Sequence, residues 1–305
     1  MVEKLKIAVK AIAGFAIALT AGVRYLSNSQ LLMPNEYKEI KTIVNKLGKF
    51  NDLGKRAITF SITPGSYLEW YAMGLKLCEK DQCTFFGSLD PFKKYRGANA
   101  YEVNDAIRQA YIYADIEAYA SSSGTIEISR STFRIYDKRK EFLACTIAHE
   151  LDHFITNDQF EDNLKANKEI KNLEGEDNIS DKTKSIEGDD EVNKEIEEKE
   201  TLIASRISRL SEVDADNGST LMMFRAGYPL ETCLNNTEFV YRIAGLGKST
   251  KPKDTHPGYE DRVAAMKTFN EKFRINPPDK YIIKTNGKWL YQRDLNTLTF
   301  TPLND

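Results

Sequence analysis

Cysteine and histidine are both scarce in this chain. It has 305 residues but only four cysteines and three histidines. Cys78 and Cys83 are close in sequence, but no second close pair completes a four-thiolate zinc site. In an exported protein this pair could close a short disulfide loop. In the alternative, all four cysteines are free thiols packed as small hydrophobic residues.

An excess of charge of one sign is also missing. The net charge is −2, so the sequence gives no reason to expect a nucleic-acid partner, and we predict none. Hydrophobic residues make up 41% and charged residues 29%, as in ordinary soluble globular proteins. The chain is therefore long enough and apolar enough to bury a sizeable core.

Long hydrophobic runs are absent as well, which excludes a multi-span membrane protein. The apolar run Ala11–Val23 is shorter than the about 20 residues that span a bilayer. Lys4, Lys6 and Lys10 precede it, so residues 1–26 are predicted to be a signal peptide or a short membrane anchor. No cysteine follows closely, so a lipoprotein anchor is not supported. We expect export or membrane association at the periplasm or cell envelope; a mature-protein helix in a cytoplasmic enzyme is the alternative.

Aromatic residues are missing from residues 161–200, where Glu, Asp, Lys and Asn are dense. Such a segment buries too little apolar surface to offset its ordering entropy, which predicts a solvated helix or a mobile insertion. We place this insertion, 159–200, inside one domain spanning 30–275. Residues 276–305 form a predicted short C-terminal β extension.

Apolar periodicity elsewhere predicts an α+β fold that is mainly helical. Helices are predicted at about 35–47, 63–78, 137–157 and 195–226, after Pro229 and near Pro257. Strands are predicted at 57–62, 110–120, 125–129 and within 281–301.

The predicted helix at 137–157 contains His149-Glu150-Leu151-Asp152-His153, an HExxH motif. Residues four apart lie on one helical face, so both imidazoles can reach the same metal ion. Glu150 follows the first ligand and is suited to take a proton from the attacking water. Because histidine is so scarce, a chance match is improbable.

A catalytic zinc site needs a third protein ligand in addition to the two histidines. Glu212 meets that need, on the helix that follows the charged insertion. Asp216 is one turn further along the same face and would accept a hydrogen bond from the outer nitrogen of a ligand imidazole. Either acid alone would ordinarily be a solvated surface charge, but the E-x-x-x-D spacing after HExxH weakens that alternative.

With these motifs the sequence resembles the HtpX and CaaX-prenyl-protease type of zinc metallopeptidase, which are gluzincins. The resemblance spans about residues 110–267. Within the family, the chain is most similar to the soluble or singly anchored branch. Glu117 departs from the family's usual asparagine. The further matching stretches are Glu117-Ala118-Tyr119-Ala120, Gly124–Ser129, and Thr255-His256-Pro257 followed by Arg262.

The resemblance implies a zincin-like core with a small sheet beside the HExxH helix, and one Zn²⁺ per chain. It implies an edge strand, formed by Thr125, Ile126, Glu127 and Ile128, that pairs with an extended protein or peptide substrate. His256 would stabilise the developing oxyanion or act as a fourth ligand; the alternative is a structural histidine, with Thr255 as a helix cap. Arg262 would pair with a carboxylate near the site, or be a surface charge.

These expectations together predict a zinc-dependent endopeptidase in protein quality control at the cell envelope. The competing hypothesis is a zinc-containing chaperone or scaffold that binds unfolded chains without cleaving them. Glu150 argues against it, because a protein that only binds needs no general base.

Overall fold

The computed structural model of the chain describes residues 32–79, 89–180, 189–244, 247–277 and 284–303. The predicted signal or anchor segment, 1–26, lies outside these residues, and so does Cys83. Among the helices that are described, none combines the length and the apolar character needed to cross a membrane.

The strands within the described residues form one mixed sheet. They are β1 (Ile58–Thr63), β2 (Ala118–Ala120), β3 (Thr125–Ser129), β4 (Gly287–Gln292) and β5 (Thr297–Pro302). The sheet order is β2-β3-β1-β5-β4. β1 and β3 run parallel, and the other neighbours are antiparallel. Ile58, Phe60 and Ile62 are buried alternately along β1, which fits the period-two pleat of a strand.

Helices make up most of the remaining described structure, so the predicted α+β, mainly helical class is confirmed. They are α1 (Asn35–Gly48), α2 (Tyr67–Gly74), α3 (Ala100–Tyr113), α4 (Arg130–Ile135), α5 (Lys140–Thr156), α6 (Asp158–Ser180), α7 (Asp189–Arg225), α8 (Thr232–Ala244) and α9 (Tyr259–Ile275).

The main core forms where α1 and α5 meet the sheet. α1 buries Tyr37, Ile40 and Val44 at helical spacing, and α5 contributes Ile147 and Leu151 to the same apolar cluster. α5 also packs against β2, β3 and α7. The HExxH helix is thus held between the sheet and the long helix α7.

The predicted C-terminal extension completes this sheet. β5 pairs antiparallel with β1, with Phe60 opposite Leu298, and β4 then pairs with β5. Asn296 adopts a left-handed conformation (φ 49°) in the turn between β4 and β5, as asparagine tolerates.

The predicted identity of the edge strand is wrong. β3, with Thr125–Ile128, is paired on both sides, to β2 and to β1, so its backbone groups are already used. The open edge beside α5 belongs to β2. Sheet order depends on contacts between distant segments, which the alternating pattern of β3 does not reveal.

Two predicted elements near this edge also differ from the structure. The strand predicted at 110–120 is wrong up to Tyr113, because Ala106, Ile107 and Ala110 place α3 against α2 in a second apolar cluster. The helix predicted from Pro64 begins later, at Tyr67, because Gly65 takes a left-handed conformation (φ 86°).

The charged insertion is helical over its described part. α6 ends at Ser180 and α7 begins at Asp189, so the helical alternative is correct for 159–180 and from 189 onward. α6 and α7 contact each other, and Arg206 of α7 forms an ion pair with Glu169 of α6. The insertion therefore extends two helices that reach the HExxH motif: α6 begins just after it, and α7 contacts it through Glu212 and Asp216.

Cys145 and Cys233 form a disulfide that joins α5 to α8. The alternative of four free thiols is therefore wrong. The predicted Cys78–Cys83 bridge stays a prediction, because Cys83 lies outside the described residues.

Candidate metal centre and active site

The two motif histidines point to the same place. His149 and His153 are one helical turn apart on α5, which runs without glycine or proline from Lys140 to Thr156. Their Nε2 atoms are 3.1 Å apart and their rings meet edge to face. The helix alone therefore converges two imidazole nitrogens on one point.

Glu212 of α7 supplies a carboxylate at that point. Its Oε2 is 3.4 Å from His149 Nε2, and its Oε1 is 3.5 Å from His153 Nε2. One ligand atom from each of these residues lies within 4.8 Å of the others. Gly218 permits this approach of α7 to α5, since a Cβ there would be 2.0 Å from Asp152 Oδ1.

A carboxylate holds the outer nitrogen of each histidine. Asp216 Oδ1 is 3.2 Å from His149 Nδ1, as predicted from its position one turn after Glu212. Asp158 Oδ2 is 2.8 Å from His153 Nδ1. Such contacts fix the tautomer, so that the Nε2 lone pairs face the centre.

Sequence reasoning missed Asp158. Asn157 ends α5 in a left-handed conformation (φ 59°), and α6 begins at the next residue. This reversal brings the Asp158 carboxylate back beside His153. The available signal was an asparagine, which tolerates left-handed backbone, followed by an acid just beyond HExxH.

Arg262 of α9 lies behind Asp216 and is not a surface charge. Its Nε donates to Asp216 Oδ2 at 2.8 Å, and its NH2 group donates to Oδ1. Burial raises the pKa of Asp216, but Arg262 and His149 outweigh that and lower it to about 2. Asp216 is therefore a carboxylate at any working pH; Arg262 contacts both of its oxygens, and His149 contacts Oδ1 as well.

The site electrostatically favours positive charge at its centre. Burial lowers the pKa of both histidines, yet hydrogen bonds to Asp216 and Glu212 raise that of His149 to about 10. Hydrogen bonds to Asp158 and Glu212 raise that of His153 to about 9. The same carboxylates would stabilise a divalent cation at this point. Two imidazoles with one carboxylate are a donor set that suits zinc. The residues present therefore fit a catalytic metal.

Glu150 is buried on the side of α5 that faces β2. Burial raises the pKa of its carboxyl, while the nearby His149 and His153 act in the opposite direction. A backbone hydrogen bond from Ala120 of β2 also lowers it. Glu150 is thus placed between the ligand histidines and the sheet edge, and its raised pKa suits a group that accepts and returns a proton.

His256 is at the open side of the site. Its side chain is 66% exposed, its Nε2 is 3.3 Å from Glu212 Oε1, and its Nδ1 is 3.0 Å from Thr255 Oγ1. The alternative in which Thr255 caps the following helix is wrong, because Gly258 is the N-cap residue of α9.

A cavity of about 440 Å³ opens over this cluster. It brings together the predicted residues His149, Glu150, His153, Glu212, Asp216, His256 and Arg262. Its walls also include Ala118–Ala120 of β2, part of a stretch that carries the family resemblance. Asn236 and Thr237 of α8, which sequence reasoning did not single out, line it as well. The predicted substrate strand, Thr125–Ile128, is not among its lining residues.

The model of Peptidase family M48 matches residues 103–270, more than half of the chain. The chain belongs to peptidase family M48. The matched range contains every predicted ligand, base and supporting residue, so the chain is a metalloendopeptidase and its fold is zincin-like. Searches among curated proteins and among solved structures gave no significant match.

The contact between Asp158 and His153 gives a first prediction for this M48 peptidase. The variant Asp158→Asn should bind zinc about 10- to 100-fold more weakly, because His153 loses the carboxylate that orients it. Competition with a chromophoric chelator measures the affinity. Glu161→Gln is the matched control, because it neutralises an exposed acid on the same helix. Equal zinc affinity in the Asp158 variant and the parent would show that this contact does not orient the ligand.

Proposed function

We propose that the chain is a zinc-dependent endopeptidase that cleaves unfolded proteins, in protein quality control at the cell envelope. The observation that carries the proposal is the open edge of β2 directly beside Glu150 and the ligand cluster. A substrate bound along that edge presents its backbone, and not a particular side chain, to the catalytic groups.

The hydrogen-bond pattern of β2 shows which residues would hold such a substrate. Glu117 C=O accepts from Ser129 N–H, and Ser121 N–H donates to Thr125 C=O. Because bonding direction alternates along a strand, Ala118 and Ala120 direct their N–H and C=O groups away from β3. Both residues line the cavity. The Ala120 N–H already donates to Glu150, which leaves the N–H and C=O of Ala118 and the C=O of Ala120 for a substrate. An extended peptide adding to β2 would therefore run past Glu150 and His149.

The chain's own groups can perform the proton transfers of peptide hydrolysis. Zn²⁺ held by His149, His153 and Glu212 would polarise the scissile carbonyl and acidify the attacking water. Glu150 takes the proton of that water and passes it to the leaving amine. Asp216 and Asp158 keep the imidazoles oriented, and the exposed His256 donates a hydrogen bond to the developing oxyanion.

Two observations support an envelope location. Basic residues precede a short apolar run at the N-terminus, as in signals and short anchors. The Cys145–Cys233 disulfide fits an oxidising compartment. The open β2 edge fits a quality-control role, because strand addition selects extended chains over folded ones.

Removal and return of the metal test the proposed activity. The purified chain should contain about one zinc, as a single catalytic site requires. It should digest casein, which is unfolded, faster than a compact folded protein. Chelation should abolish digestion, and stoichiometric Zn²⁺ should restore it. Casein digestion that persists in metal-free protein, or that returns with other divalent ions but not with zinc, would refute the assignment.

A further inference from the structure

Four aromatic side chains form a cluster at the approach to β2. Tyr67 is its centre: its ring centroid lies 5.4 Å from that of Trp70, 6.1 Å from that of Tyr71 and 6.2 Å from that of Tyr113. We call Tyr67, Trp70, Tyr71 and Tyr113 the aromatic ridge. Trp70 is 65% exposed and Tyr113 is 63% exposed. Adjacent exposed aromatic residues of this kind mark binding surfaces more often than they serve folding.

The ridge is attached to the substrate edge by specific contacts. Ser66 precedes Tyr67, and it donates from its backbone N–H and its hydroxyl to the Glu117 carboxylate at 2.8 and 2.7 Å. Glu117 in turn precedes β2. The side chain that departs from the family's asparagine therefore points to α2, and it holds the ridge beside the first residue of the edge strand.

The short connection between α3 and β2 independently places the ridge close to β2. Tyr113 ends α3, and residues 114–117 connect it to Ala118. Even fully extended, the five steps from Tyr113 to Ala118 span only about 17 Å. A polypeptide that pairs with β2 and continues beyond Ala118 therefore reaches the ridge within a few residues.

The geometry points to the aromatic ridge as an extended binding site for unfolded polypeptide, which takes hydrophobic and aromatic substrate side chains beyond the catalytic cleft. This inference rests on the proposed endopeptidase function. Strand addition to β2 gives backbone contacts with little selectivity. The ridge adds a preference for segments that a folded protein would bury, because Trp and Tyr present rigid apolar surface at low entropic cost.

The charges at the ridge favour a polypeptide over a lipid surface. Glu69 is next to Trp70, and Tyr71 donates to Asp105 at 3.3 Å. Two cations near the ridge are already engaged: Arg108 is paired with Asp105 at 2.6 Å, and Arg134 donates to the backbone carbonyls of Tyr111 and Ala114. Carboxylates among exposed aromatic residues oppose docking on anionic headgroups, which attract Lys and Arg instead.

The test compares a long substrate with a short one in the variant Trp70→Ala/Tyr113→Ala. KM for casein should rise about 10-fold with kcat unchanged, as loss of an aromatic hot spot predicts. A fluorogenic peptide of about six residues, about 20 Å when extended, covers only the cleft and should keep its kcat/KM. Equal effects on both substrates, or no effect on either, would overturn the inference.

Two controls separate a binding role from a structural one. Tyr101→Ala removes a tyrosine that is 81% exposed at the opposite end of α3, about 18 Å away along the helix; its KM for casein should equal that of the parent. Trp70→Phe/Tyr113→Phe keeps an aromatic ring at each position and should restore most of the affinity. Failure of this rescue, with intact folding, would contradict the role of the rings.

A binding measurement keeps this inference separate from the proposed activity. In a Glu150→Gln background, fluorescence anisotropy of labelled casein measures affinity without cleavage, and the ridge variant should bind about 10-fold more weakly. That result stands even if the parent cleaves nothing. Co-sedimentation with anionic vesicles tests the other occupant: ridge substitutions that reduce vesicle binding but spare casein binding would assign the surface to lipid and overturn the inference.

Discussion

The variant Glu150→Gln should lose peptide hydrolysis while it keeps its metal. We expect kcat to fall by about 10²- to 10⁴-fold, because the attacking water loses the group that takes its proton. Folding should not suffer: burial raises the pKa of the Glu150 carboxyl, so its charge opposes folding at neutral pH and its removal relieves that effect. Peptide kinetics measure kcat, metal analysis measures the zinc content, and thermal unfolding measures the stability of the fold.

Glu141→Gln is the matched control for this experiment, since Glu141 is an exposed glutamate on the same helix. It should leave kcat unchanged. Glutamine at 150 should still allow unfolded chains to bind, so casein affinity should remain near that of the parent. Hydrolysis at the parental rate in the Glu150 variant would remove the general base from the mechanism. A chaperone without proteolysis would show no hydrolysis even in the parent.

The parts of the site that one helix determines could be predicted from the sequence. His149, Glu150 and His153 need only the helical repeat of α5 to converge, and the local pattern establishes that helix. Glu212 and Asp216 required one more step, a second helix with acids one turn apart. Their spacing was visible in the sequence, although their packing against α5 was not.

The substrate edge could not be predicted in the same way. The alternation of β3 predicts a strand but not its neighbours, and only its pairing with both β1 and β2 shows that it is the inner strand. The β-branched and aromatic residues near Tyr113 also favoured a strand, but packing of α3 against α2 overrides that preference. Neither outcome is encoded within a short window of sequence.

The Asp158–His153 contact and the Cys145–Cys233 disulfide could not be predicted from the sequence. Asp158 reaches His153 only because Asn157 adopts a left-handed conformation. The Cys145–Cys233 disulfide joins residues that are 88 positions apart. Cysteine spacing favoured the nearer pair, Cys78 and Cys83, because connectivity between distant cysteines cannot be deduced from sequence alone.

The variant Glu212→Gln should lose most of its affinity for zinc. Four ligands share about 10–16 kcal/mol of binding free energy in structural zinc sites, so one ligand accounts for about 3 kcal/mol, or more than about 100-fold in Kd. Burial raises the pKa of Glu212, but His149 and His153 hold it well below its usual value, so the residue is anionic at working pH. Asp214→Asn, an exposed acid on the same helix, should bind zinc like the parent.

Comparison with Asp216→Asn decides which acid is the ligand. Asp216 contacts the outer nitrogen of His149 and is paired with Arg262, so its neutralisation should weaken zinc binding only about 10- to 100-fold. It should, however, leave the buried Arg262 guanidinium with only the more distant Glu212 carboxylate, at 3.8 Å. We expect the free energy of unfolding to fall by about 3 kcal/mol, the lower end of the range for breaking a buried ion pair. Glu212→Gln keeps the Asp216–Arg262 pair and should show the opposite balance, with a large loss of zinc and a small loss of stability. The reverse order of zinc affinities would make Asp216 the ligand and refute the assignment of Glu212.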